Sequence, residues 1–226
     1  MDPIAQLARS TLFSGIAYAD LEPLSHSLHV RHFGRGSYLF HEGDPGNLLF
    51  ILVAGQVKIS RVGRGGDEAV FAVLVPGDVF GELAILDERG ERTADAQASE
   101  ATECVTLERT ALLDFLAARP ALMRHLLSML SRYVRRKDDA FAEVAFLDIP
   151  GRVARKLLDL AESNGQPTPE GVRIGVRLSQ RTLAGMVAAS RENVNRALSR
   201  FVAEGAIRQD NGWVTVLRPE LLRRRT

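Results

Sequence analysis

Cysteine occurs once in these 226 residues, at Cys104, and a single thiol closes no internal disulfide and builds no multi-cysteine zinc or iron–sulfur site. It lies in the alternating run ATECVTLE, residues 101–108, where a buried, inert thiol is expected. Long apolar runs are also missing: no stretch approaches the ~20 residues that a membrane helix needs. The opening MDPIAQLARSTLF carries an early acid and no apolar h-region. A cytoplasmic protein with no membrane partner is therefore expected. The five histidines, His26, His29, His32, His41 and His125, form no metal-ligand spacing, and the chain has no Walker loop. Both absences count against an enzyme acting on a phosphate substrate, although nucleotide incubation with product analysis would be the direct check.

Net charge is nearly lacking as well, at +1, until the chain is divided at Asp148. Residues 148–226 hold 14 Lys/Arg against 8 Asp/Glu, and residues 1–147 hold 15 against 20. A basic C-terminal part, net +6, thus follows an acidic part, net −5. That asymmetry suggests a polyanion partner for the C-terminal part alone, with a solvated face as the competing explanation.

Residues 28–108 contain short alternating or apolar runs: LHVRHF, SYLFHEG, NLLFILVAG, QVKISRV, AVFAVLVPG, ADAQA and ECVTLE. Glycines fall in or beside the breaks, as in an antiparallel barrel or jelly roll. From Pro120 to Leu147 there is neither glycine nor a second proline, and the residues favour helix. Met123, Leu127, Leu130, Val134, Lys137, Phe141 and Val144 recur at spacings of 4 and 3, a heptad seam on a helix roughly 42 Å long. The expectation is a parallel homodimer through residues 123–144; the alternative is a helix that packs this stripe on its own barrel. Pro150-Gly151 is then expected to break the chain and act as a hinge.

Beyond it, a helix (RVARKLLDLAES), a Gly/Pro-rich loop and a short strand (VRIGV) lead into LSQRTLAGMVAASRENVNRALSRFVAEGAI. Ser179 and Ser190 suit two N-caps, separated by a tight turn at Ala188–Ala189, and the second helix stops before Gly205. This is a helix-turn-helix, and IRQDNGWVTV, turning at Asn211-Gly212, adds a wing. Double-stranded DNA is the implied partner. The N-terminal end of the second helix offers Ser190, Arg191, Glu192 and Asn193, then Asn195 and Arg196. Arginine can fork onto guanine and glutamate can accept from cytosine, with Arg191 and Arg196 read as lying on nearly one face.

The segment FGELAILDERGERTADA, from Phe80, places a Gly-Glu pair at a short helical turn ahead of Arg92 and Thr93. Backbone N–H groups, a guanidinium and a hydroxyl are suited to a phosphate, and Glu82 to a ribose hydroxyl. A Glu82–Arg92 structural salt bridge is the competing reading. PGDVFGELAILDERGERTADA, AFLDIPGR at 145–152 and SRENVNRAL at 190–198 together resemble the phosphate cassette, hinge and recognition helix of Crp–Fnr regulators of the cyclic AMP receptor protein branch.

The resemblance covers nearly the whole chain and implies an α+β fold: an N-terminal cyclic-nucleotide-binding β-barrel (jelly roll) over 1–118, a dimerisation helix over 119–147, and a winged helix-turn-helix over 148–226. It further implies that Glu82 holds the ribose hydroxyl, Arg92 and Thr93 the cyclic phosphate, and Gly81 and Leu83 supply backbone contacts. Arg191, Glu192 and Arg196 would read a TGTGA-like palindrome, with RNA polymerase as a protein partner. Cyclic AMP is the implied effector, with cyclic GMP, cyclic di-GMP or none as alternatives in the same fold. Iron–sulfur members use several N-terminal cysteines that this chain lacks. Where the family's cyclic AMP receptors place Thr and Ser against the adenine, the aligned residues are Lys137 and Asp138, which implies altered base selectivity.

Overall fold

The computed structural model describes residues 2–226 and divides them into two compact units, residues 2–61 with 72–134, and residues 62–71 with 135–226. The chain opens with α1 (Pro3–Arg9), α2 (Tyr18–Leu21) and a 3₁₀ turn (Glu22–Ser27). Eight strands follow: β1 (Leu28–Phe33), β2 (Tyr38–Phe40), β3 (Leu48–Ala54), β4 (Val57–Val62), β5 (Glu68–Leu74), β6 (Val79–Phe80), β7 (Asp95–Ala98) and β8 (Thr102–Glu108), with α3 (Glu82–Leu86) between β6 and β7. They form two four-stranded sheets, ordered β1-β8-β3-β6 and β2-β7-β4-β5.

Period-two alternation explains how these sheets are used. Phe50 and Leu52 on β3 and Cys104 on β8 meet Val57, Phe80 and Ala96 in a core shared by both sheets. The intervening Leu49, Ile51, Val105 and Leu107 turn the other way, onto a second core with Leu7, Leu112 and Phe115 from the flanking helices and Phe13 from the turn after α1. Strand runs read from the sequence appear within three residues of their expected ends, SYLFHEG and AVFAVLVPG each stopping three residues early as β2 and β5, and the two-residue β6 is an addition. Burial pushes the Cys104 thiol up to about 12, so it stays protonated and unreactive.

After α4 (Arg109–Ala117) comes the long helix α5 (Pro120–Phe146). Its first turns send Leu122 and Leu126 into the helix-side core, with Met123, Met129 and Leu130 packed against it. Leu127, Val134, Phe141 and Val144 are left 56 %, 55 %, 78 % and 51 % exposed. One row of the heptad seam therefore has no cover within its own chain.

The second unit continues with α6 (Ile149–Asn164), β9 (Gly165–Thr168), β10 (Gly171–Ile174), α7 (Gln180–Met186), α8 (Arg191–Ala203), β11 (Ile207–Asp210), β12 (Trp213–Val216) and α9 (Pro219–Arg223). The expected break at Pro150-Gly151 lies elsewhere. Asp148 is the N-cap, its carboxylate accepts from Gly151 N at 2.8 Å, and Pro150 and Gly151 sit inside the first turn of α6. Proline is welcome there because the first turn has no intrahelical acceptor for its missing N–H, so the discontinuity falls at Leu147–Asp148. Part of the expected Gly/Pro loop is strand β9, paired with β10, and α9, with Pro219 in its first turn, is a helix that the sequence reading did not single out.

Candidate functional site

Arg92 is 5 % exposed, although it is a full cation. Its Nη1 donates to Gly81 O at 2.9 Å and its Nη2 to Leu48 O at 2.7 Å. The guanidinium carbon stands 4.2 Å from the Phe40 ring centre and 5.5 Å from that of Phe50, within cation–π range. Its Nε, also buried, has no hydrogen-bond partner. Burial draws the arginine down to about 10, opposed by the Glu82 and Asp44 carboxylates. Both terminal nitrogens thus engage backbone carbonyls rather than Glu82, which argues against a structural Glu–Arg pair.

The local chain explains this placement. Gly81 takes φ +84°, and a Cβ there would come 2.5 Å from Arg92 Nη1, so only glycine lets the turn close over the guanidinium. Arg92 N donates to Asp44 O at 2.9 Å, Gly43 N to Arg92 O at 2.8 Å and Gly46 N to Gly90 O at 2.7 Å, which laces the β2–β3 loop to the cassette. Glu82 and Leu83 begin α3 and are half-buried, while Thr93 is exposed. Burial holds the Glu82 carboxyl above its ordinary range, with the Arg92 charge pulling the other way. Tyr133, on α5, has its hydroxyl raised by burial and then by the Glu82 charge. It is a cassette neighbour that the sequence reading did not single out.

In the second unit, Ser179 Oγ accepts from Thr182 N at 2.9 Å and Ser190 Oγ from Asn193 N at 3.3 Å, so both expected caps are in place. Arg191 and Glu192 are exposed at the start of α8, and Arg196 donates to Asn193 Oδ1. The α8 backbone amide of Glu192 and the Ser190 hydroxyl hold the Glu192 carboxyl below its usual value. At 100° per residue, Arg191 and Arg196 lie about 140° apart and flank Glu192 instead of sharing one face. Gln180 Nε2 donates to Asn195 Oδ1 at 2.9 Å, and Arg152 Nη1 donates to the turn carbonyls of Val187 and Ala188 at 2.8 and 3.3 Å. Asn211 and Gly212, at φ 48° and 85°, close the wing.

Residues 30–119 match the cyclic nucleotide-binding domain family, and residues 151–225 match the Crp-like helix-turn-helix domain family. A CRP-like cAMP-activated global transcriptional regulator of Mycobacterium tuberculosis is 39 % identical over 225 residues, covering 100 % of this chain and 99 % of the relative. The chain belongs to the Crp–Fnr family of transcription regulators.

Other Crp–Fnr proteins agree. The cyclic AMP receptor protein of Thermus thermophilus is 33 % identical over 94 % of this chain and 95 % of its own. The structure of FixK2 from Bradyrhizobium japonicum superposes with a TM-score of 0.78 at 20 % identity, covering 88 % of this chain and 96 % of that one, a likeness of fold. These relatives are regulators rather than enzymes, and this chain carries the cyclic nucleotide-binding domain and the Crp-like helix-turn-helix of a cyclic-nucleotide-responsive transcription regulator. No helix among the described residues is long and apolar enough to cross a membrane.

Within this Crp–Fnr chain the structure brings Gly81, Glu82 and Arg92 together, with Leu83 and Thr93 adjacent in the chain. Lys137 and Asp138 belong to the second unit. Lys137 is half-buried with its Nζ 4.5 Å from the ring centre of Phe71, and Asp138 is exposed. Burial, then the nearby Lys156, draws the Lys137 ammonium below its usual value. Gln180 and Arg152 join the helix-turn-helix residues foreseen from the sequence; their polar side chains at helix starts were the available signal.

Proposed function

We propose that this regulator takes cyclic AMP in the Arg92 cassette and, as a homodimer, binds a palindromic TGTGA-like site with Arg191, Glu192 and Arg196 of each copy. The observation that carries the effector reading is Arg92 Nε, a buried donor without a partner on a guanidinium whose other edges are satisfied. Leaving such a donor unmade costs about 1–3 kcal/mol, and an anion that accepts from it removes the cost. A cyclic phosphate is such an anion, with Glu82 beside it for a ribose hydroxyl and Gly81, Leu83 and Thr93 supplying further donors.

Base selection is assigned to Lys137 and Asp138, on the resemblance alone. An ionised carboxylate accepts hydrogen bonds and cannot donate them, so Asp138 suits the adenine amino group and suits still better the paired N–H donors of guanine. Cyclic GMP is accordingly expected to be tolerated more readily than by receptors with Thr and Ser there. Dimerisation is supported by the uncovered row Leu127, Val134 and Phe141 on α5, and RNA polymerase is the proposed protein partner. Calorimetric titration of the nucleotide-free chain with cyclic AMP, cyclic GMP and cyclic di-GMP tests the effector. Binding of a cyclic mononucleotide that disappears in Arg92→Ala supports the assignment; no heat with either mononucleotide overturns it.

A further inference from the structure

The first turn of α6 and one face of α8 flank a cleft of about 550 Å³, whose lining includes Asp148, Arg152, Asn193, Arg196 and Arg200. Its α8 wall follows from helical spacing, because Asn193, Arg196 and Arg200 recur at 3 and 4 residues and so share one face. Three arginines meet a single carboxylate there, and that carboxylate is engaged in capping α6. Arg152 directs its bonds to the neutral carbonyls of Val187 and Ala188, and its Nε has no hydrogen-bond partner. Arg196 donates to the neutral Asn193 side chain. Neutral partners satisfy donors without cancelling charge, so the cleft keeps a net positive field.

Arg200 is the arginine with a counter-charge. Its Nε donates to Glu204 Oε1 at 2.9 Å, and Arg225, just beyond α9, sends its Nη2 to the same oxygen at 3.1 Å. The Arg200 hydrogen bond, with the Arg225 charge behind it, holds the Glu204 carboxyl below its usual value, so the group is ionised at neutral pH. The Arg200 side chain is 52 % exposed, and an exposed ion pair holds its partners weakly. When another anion draws Arg200 away, Arg225 still compensates Glu204.

A helix that enters the major groove N-terminus first presents its opening residues to base edges. At 1.5 Å per residue, Arg196 stands about 8 Å beyond Arg191 along α8 and Arg200 about 14 Å beyond it, against a groove about 8.5 Å deep. Arg200 therefore reaches the groove wall, where the phosphates stand, while Arg196 remains within the groove. We propose that this cleft takes a backbone phosphate of the DNA, with Arg200 as its donor and Glu204 as a built-in counter-charge that limits what Arg200 contributes. Such a contact adds affinity without base information. It rests on the placement of α8 in the major groove, and not on which bases that helix reads or which nucleotide is the effector.

The test titrates full-length variants by fluorescence anisotropy against a TGTGA-like palindrome and a random duplex over a series of salt concentrations. Cyclic AMP, cyclic GMP or no nucleotide is used, whichever gives the wild type its tightest binding. Arg200→Gln should weaken binding about tenfold on both duplexes, keep their ratio, and flatten the fall of log affinity with log salt by about one per bound copy. Arg200→Lys should retain the salt dependence, because an ammonium serves a phosphate as a point charge. Glu204→Gln should act the opposite way, strengthening binding about threefold on both duplexes. Glu162→Gln, the same charge change at an exposed residue of α6 outside the cleft, should leave affinity unchanged. Unchanged affinity in Arg200→Gln overturns the phosphate site, and so does a loss confined to the palindrome, which would make Arg200 a base reader. Equal effects of Glu204→Gln and Glu162→Gln overturn the counter-charge role. A wild type that does not prefer the palindrome defeats the base-reading assignment, and the salt dependence on random DNA still decides the phosphate site.

Discussion

Arg92 keeps a charge where water does not reach it, and the Gly81 and Leu48 carbonyls with the Phe40 ring offset its desolvation. Charge-assisted bonds contribute about 1.5–3 kcal/mol each. Losing the Nε bond to the phosphate in Arg92→Ala should therefore weaken cyclic nucleotide binding by about tenfold or more, read by calorimetry, with the oligomeric state unchanged in sedimentation. Glu82 poses the opposite problem, since burial raises its carboxyl above the ordinary range. Its stabilising contribution is then fully present at low pH, where the group is protonated folded and unfolded, and is lost as pH rises through the folded-state value. Glu82→Gln should melt higher than wild type at about pH 7 without nucleotide, and the gap should close toward about pH 4. A constant gap across that range would show that Glu82 is not desolvated. At the turn of the helix-turn-helix, Ala188 takes φ 48°, a left-handed conformation that strains a Cβ. Ala188→Gly should raise unfolding free energy by about 1 kcal/mol or less, glycine's greater freedom in the unfolded chain offsetting part of the relief.

Helix α5 serves two sides, and its sequence states only that it has a stripe. Met123 and Leu130 lean on the barrel's helix-side core, Lys137 lies over Phe71, and the row Leu127, Val134, Phe141 is bare. A fully buried phenylalanine contributes about 1.5–3 kcal/mol, and a two-fold dimer loses it twice. Phe141→Ala should weaken self-association by roughly 100-fold or more, as read by sedimentation equilibrium. An unchanged dissociation constant would place the partner's helix elsewhere. The 4-3 spacing was legible, yet the division of labour along it was not, because a heptad pattern gives the direction of a side chain and not what waits there. Lys137 is the instructive case: at a seam position by spacing, it is engaged by a hairpin 66 residues earlier in the chain.

The division of charge along the chain, basic after Asp148 and acidic before, sets how the whole molecule meets DNA. Phosphate contacts make every affinity fall with salt, so base reading has to be judged as a ratio at fixed ionic strength. Arg191→Ala or Arg196→Ala should each cost about 1–3 kcal/mol on the specific palindrome and much less on random DNA, in paired gel-shift titrations. If the ratio is kept, neither arginine reads a base. What the sequence by itself determined was local. Serines at 179 and 190 capped their helices where a hydroxyl and free N–H groups stand three residues apart; Asn211-Gly212 turned the wing; alternation over 48–54 and 102–108 sent successive residues to opposite faces. Each of these depends on neighbours within one or two turns of chain. The tertiary structure alone decided the rest: Arg92 on the carbonyl of Leu48, 44 residues away, Tyr133 beside Glu82, and β5 seated on Gly185. In each case burial and close approach depend on segments distant in sequence, and no periodicity in either segment encodes the distance between them.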